Sequence, residues 1–166
     1  DCGDQKRIGD RFFSTKPKFS VEINIDHHQS NKNYADYNLV NSDASSTAEL
    51  VFEIIEALGV KLTSVIATGL LAGLMGDTGS FNFGNTSPHV LEIAAKLVRA
   101  GASPSLISGE MFYNDSLARV RLKAEGLSRV EVFLEDRLAI AVVDQALLDK
   151  YALTSADLDG LVDQVR

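Results

Sequence analysis

Ser46-Thr47-Ala48-Glu49 constrains the fold more tightly than any other stretch of the chain. It has capping-box spacing, with Ser46 as N-cap and Glu49 at the third helical position. Apolar residues recur behind it at Leu50, Val51, Ile54, Ile55 and Leu58, and Gly59 stands where a C-terminal cap belongs. A helix is predicted there. Two β-prone runs precede it: Val21 to Ile25, ending at Asp26-His27-His28, and Tyr34 to Val40.

Further helices are predicted downstream. Thr63 opens one that runs into Gly73-Leu-Met-Gly76-Asp77. Ser87-Pro88 supplies an N-cap followed by proline at the first helical position, and that helix ends near Gly101. Ser103-Pro104 repeats the device, and Ser116 to about Val130 forms a longer helix. Glu131–Leu134 and Leu138–Val143, joined through Glu135-Asp136-Arg137, read as a β-hairpin, and a last helix is expected from Thr154 to Arg166. This order predicts an α/β fold: a mainly parallel sheet flanked by helices, with a C-terminal connector hairpin and helices. The pattern changes near Ala124, so residues 1–124 are expected to form one domain and 125–166 a connector and the start of a second unit.

Composition narrows the function classes. At 166 residues, 45% apolar and 23% charged, the chain suits one soluble domain or one domain and part of another. Its formal net charge of −7 argues against a basic nucleic-acid groove, and an anionic substrate would need divalent metal to offset it. The single cysteine, Cys2, fits a reducing, cytoplasmic setting. The strongly apolar stretch Val65–Met75 is too short to cross a bilayer, and no signal peptide is visible. The chain opens on Asp1 and a Gly-containing loop with no strand before it, so a missing N-terminal portion is expected.

Three places carry candidate chemistry. His27 and His28 follow Asp26 at a predicted strand end, where parallel sheets bind ligands and where an acid can orient a metal-bound imidazole. A polar loop with chance histidines is the competing reading. Asp77 lies in Gly76-Asp77-Thr78-Gly79, whose glycines allow close backbone approach to an ion, although Asp-x-Gly also caps ordinary turns. Asp43-Ala44-Ser45-Ser46-Thr47 joins an acid and hydroxyls to a helix N-terminus, which suits a phosphate as well as simple capping. Asp1 and Asp4 share the opening loop. The series Gly69, Gly73, Gly76, Gly79 lacks dinucleotide-loop spacing and is read as tight helix packing. Carboxylates and imidazole without a thiolate cluster favour Mn²⁺ or Mg²⁺ over structural zinc.

Asp1-Cys-Gly-Asp-Gln-Lys-Arg-Ile-Gly9, Asn24-Ile-Asp26-His27-His28 and Gly76-Asp77-Thr78-Gly79 resemble, in order, the second, third and fourth motifs of the DHH phosphoesterase superfamily. Asp43–Glu49 and Phe81-Asn-Phe-Gly-Asn-Thr86 are similar to its branch of bifunctional oligoribonucleases and PAP phosphatases. The resemblance implies that residues 1–124 are the DHH domain and 125–166 the entry to the DHH-associated C-terminal domain. It implies two Mn²⁺ ions, with Asp1 bridging them and His27 and Asp77 holding one. His28 would contact the scissile phosphate and Asp26 would hold the histidine pair, with Ser45, Ser46 and Thr47 as candidate substrate contacts. The family's first motif, a further source of metal ligands, lies outside the chain, so weak activity or none is expected of these residues alone.

The expected activity is release of mononucleotides from very short RNA, or of the 3′-phosphate from adenosine 3′,5′-bisphosphate. The expected partner is a short RNA oligonucleotide or small nucleotide, with no membrane and with a homodimer allowed. The alternatives are a cyclic-dinucleotide phosphodiesterase and a non-catalytic nucleotide-binding regulatory domain. An inorganic pyrophosphatase fits the sequence after Asp77 less well.

Overall fold

The computed structural model describes residues 1–9, 21–158 and 160–165, in two compact units, Asp1–Met111 and Phe112–Arg166. In the first unit, β1 (Ile23–Asp26) pairs in parallel with β2 (Tyr37–Val40), Ile23 opposite Tyr37 and Asp26 opposite Val40. The polarity of β1 is reversed from that of an ordinary core strand. Asn24 and Asp26 are buried, while Ile23 is exposed. Polar groups survive burial only when hydrogen-bonded, and these two are: Asn24 donates to the Cys2 carbonyl at 3.1 Å, and Asp26 accepts from His28 and Asn31.

The capping box opens α1 (Thr47–Ala57), with the Ser46 hydroxyl accepting from the Glu49 amide at 3.2 Å. The Glu49 carboxylate reaches past Ser46, however, to the Ser45 amide and hydroxyl, each at 2.7 Å. The buried aromatic of this helix is Phe52, which the expected stripe omits, and Leu58 from that stripe is exposed at the C-cap. Helix α2 (Ser64–Asp77) is capped by Thr63, and α3 (Pro88–Arg99) by Ser87 with proline at its start. Phe52, Leu71, Leu74, Val90, Ile93 and Leu97 from these three helices form the core. A Cβ at Gly73 would stand 2.7 Å from that of Ala48, so close helix packing is real there; Gly69 faces open space. Helix α4 (Pro104–Phe112) follows.

The second unit holds α5 (Leu117–Ser128), the antiparallel hairpin β3 (Glu131–Phe133) and β4 (Leu138–Ile140), and a short α6 (Gln145–Lys150). Leu122 of α5 packs with Leu147 and Leu148 of α6, and Glu125 binds Lys150 at 2.6 Å and the Tyr151 hydroxyl at 2.8 Å. Those contacts place α5 in the second compact unit, Phe112–Arg166. The expected helix from Thr154 to Arg166 does not form among the described residues. Two 3₁₀ turns, Ser155–Leu158 and Val162–Gln164, stand on either side of Gly160, whose φ of +77° is incompatible with a right-handed helix. Asp159 and Arg166 lie outside the described residues. Among the described residues no helix is long and apolar enough to cross a membrane.

Candidate metal centre

The end of β1 delivers His27 and His28 beside two carboxylates that come from distant parts of the chain. The Asp1 backbone nitrogen donates to the Ile25 carbonyl at 2.8 Å, which lays the opening residues alongside β1. Its carboxylate then stands 3.8 Å from His27 Nε2 and 3.5 Å from His28 Nδ1. Asp77, the last residue of α2, places an oxygen 3.5 Å from His27 Nε2. Thr47, the first residue of α1, donates its hydroxyl to Asp1 at 3.2 Å. The ligand atoms of Asp1, His27 and His28 all lie within 4.8 Å of one another, and Asp77 joins them through His27.

Each histidine is oriented through its Nδ1. His27 Nδ1 sits 3.3 Å from the Ala44 carbonyl, an acceptor that fixes the proton on Nδ1 and leaves Nε2 as an electron-pair donor facing Asp1 and Asp77. His28 Nδ1 sits 2.7 Å from the fully buried Asp26 carboxylate. Burial pushes the Asp26 carboxyl up, but hydrogen bonds from the His28 ring, the Asn31 amide and the His28 backbone outweigh it and bring the group down to about 2. Asp26 is therefore an anion at neutral pH. One free imidazole nitrogen between two carboxylates is a hard-to-borderline donor set that fits a divalent ion such as Mn²⁺ or Mg²⁺.

The expected substrate contacts are redistributed. Ser45 and Ser46 are buried, and their hydroxyls are occupied by Glu49: Ser45 donates to its carboxylate, and Ser46 accepts from its amide. Thr47 alone of the three turns its hydroxyl to the acidic cluster. Asp4 stands apart, capping the turn Gln5–Ile8 and pairing with Lys32. Sequence reasoning missed Asn31, which donates to Asp26 at 2.5 Å and to Asn24 at 3.2 Å. A buried strand-end acid needs a donor, and that need was the available signal.

The turn after Asp77 is wound left-handed through Gly79, Ser80 and Phe81, with φ of +56°, +58° and +68°. A Cβ on Gly79 would run into the Phe83 ring. Gly79→Ala should therefore lower stability by about 1–3 kcal/mol through backbone strain. Equilibrium unfolding in urea checks this, and an unchanged midpoint would show that the turn relaxes freely.

Residues 1–74 match the DHH family, N-terminal domain. The chain is similar to the bifunctional oligoribonuclease and PAP phosphatase NrnA of Thermus thermophilus, 37% identical over 65% of this chain and 33% of that protein. It is also similar to NrnA of Bacillus subtilis, 30% identical over 98% of this chain and 51% of that protein. A crystal structure of an exopolyphosphatase-related protein from Bacteroides fragilis superposes with a TM-score of 0.89 at 25% identity, covering 99% of this chain and 49% of the other. The chain thus spans about half, or less, of the length of these relatives.

Proposed function

Because the chain belongs to the DHH family, we propose that it carries the metal centre of a manganese-dependent phosphohydrolase acting on very short RNA or on adenosine 3′,5′-bisphosphate. The observation that carries this reading is the meeting of Asp1, His27, His28 and Asp77 at one point, from three segments of the chain. The similarity to bifunctional oligoribonuclease and PAP phosphatase NrnA supports the substrate class. We assign residues 125–166 to the entry of the DHH-associated C-terminal domain. We also assign the protein to the cytoplasm and allow a homodimer.

In this mechanism Asp1, His27 and Asp77 would hold the metal. Bound there, it would supply an activated water and offset charge on the phosphate. Asp26, ionised and buried, holds His28 by Nδ1 and leaves Nε2 for the scissile phosphate. From there His28 donates a hydrogen bond to a phosphate oxygen as charge builds, or passes a proton to the leaving oxygen. Thr47 steadies Asp1 and sets the first turn of α1 beside the cluster, where helix N-termini favour anions.

The test is hydrolysis by the full-length protein, with Mn²⁺ present, of a panel holding di- and trinucleotide RNA, adenosine 3′,5′-bisphosphate, a cyclic dinucleotide and pyrophosphate. Turnover of the first two above the others is expected. Preference for the cyclic dinucleotide would move the protein to the phosphodiesterase alternative, and absence of turnover on all four would favour a non-catalytic binding domain.

A further inference from the structure

Asn85 lies in the stretch Phe81–Thr86, which carries part of the family resemblance but has no role in the site as described so far. Its side chain is exposed, yet both hydrogens of its amide are used. Nδ2 donates to the Ser45 carbonyl at 3.1 Å and to the Asp77 carbonyl at 3.1 Å. Two carbonyl oxygens facing one nitrogen fix the amide's orientation, since the reverse setting would press oxygen against oxygen. The Asp77 carbonyl is one of the last four of α2, which the helix itself leaves without a donor.

These two bonds close a ring of contacts. From His27 Nδ1 the ring runs to the Ala44 carbonyl at 3.3 Å, along the backbone to Ser45, and through Asn85 to Asp77. It returns from the Asp77 carboxylate to His27 Nε2 at 3.5 Å. The members come from the end of β1, the loop before α1, the end of α2 and the loop before α3. Asp77 is otherwise set by α2 and by the left-handed turn that follows it.

We infer that Asn85 is a positioning residue that holds Asp77 at its distance from His27, and so sets metal affinity without touching the metal. This inference rests on the metal-centre reading above. Groups that orient metal ligands from outside commonly change affinity by 10–100-fold when removed. A merely structural asparagine would alter thermal stability and leave metal affinity where it was.

The experiment is a calorimetric Mn²⁺ titration of wild type, Asn85→Ala, Asn85→Asp and His27→Ala, with circular dichroism on each. Asn85→Asp keeps the shape and replaces the donor by an acceptor facing two carbonyls. Both Asn85 variants should bind Mn²⁺ on the order of 10-fold or more weakly while remaining folded, with Asn85→Asp the weaker, and His27→Ala should lose binding further. Should an Asn85 variant unfold, the other, read below its own melting temperature, decides. Wild-type affinity in the folded Asn85 variants, with binding lost in His27→Ala, would overturn the inference alone. Equal affinity in wild type and His27→Ala would remove the metal centre and the inference with it.

Discussion

Replacing His28 by alanine is expected to lower kcat by on the order of 10²–10³, while Mn²⁺ affinity stays close to that of the wild type. The expectation follows from how the ring is held. Its Nδ1 is 2.7 Å from a buried anion, so the ring is set by Asp26, and its remaining nitrogen is left for the phosphate. His27, whose Nε2 faces both Asp1 and Asp77, should behave in the opposite way, with His27→Ala losing metal first and activity as a consequence. Steady-state kinetics beside metal titration separates the two. Equal loss of Mn²⁺ binding in both variants would contradict the division between them.

Leu74→Ala should destabilise the N-terminal unit by about 2–5 kcal/mol, the range for a large-to-small change in a packed core. Leu74 is fully buried among α1, α2 and α3. It also lies one turn before Asp77, and its carbonyl accepts from the Thr78 amide at 3.1 Å and the Thr78 hydroxyl at 2.5 Å. A cavity there loosens the helix end that carries Asp77, the proposed metal ligand. Val65, on the same helix but exposed, is the control: Val65→Ala should stay within about 0.5 kcal/mol. Urea unfolding of the two variants reads the difference, and similar midpoints would show that the core is not where the structure puts it.

The helices were legible in the sequence wherever cap and period fell within one short window. Ser46, Thr63 and Ser87 each announce a helix, and each accepts from the amide three residues on. The last expected helix failed because hydrophobic pattern says nothing about the backbone at Gly160, which turns left-handed and stops it. Site residues were legible to different degrees for a related reason. His27, His28 and Asp77 stood out through ordered motifs and not through spacing, since Asp26-His27-His28 alone reads equally well as a polar loop. Ser45 and Ser46 stood out by their place at a helix N-terminus, and a sequence does not show that Glu49 also bonds both hydroxyls inside the fold. Asn85 was invisible as a functional residue, because its bonds to Ser45 and Asp77 exist only once segments 40 and 8 positions away have been brought together.

The same local chemistry recurs at a second place, which makes the position of the metal a sharp question. Glu49, Glu53 and His89 also bring ligand atoms within 4.8 Å of one another, on the face shared by α1 and α3. There the Glu49 carboxylate is already engaged by Ser45, and His89 pairs with Glu53 at 3.1 Å. At the first cluster His27 Nε2 is left open between two carboxylates, so the proposed metal centre is placed there. Anomalous diffraction from crystals of the protein soaked in Mn²⁺ locates the ion directly. A peak within bonding distance of His27 Nε2 and the carboxylates of Asp1 and Asp77 is the expected result. A peak only at Glu53 and His89, or none at either cluster, would contradict the metal centre on which the proposed function stands.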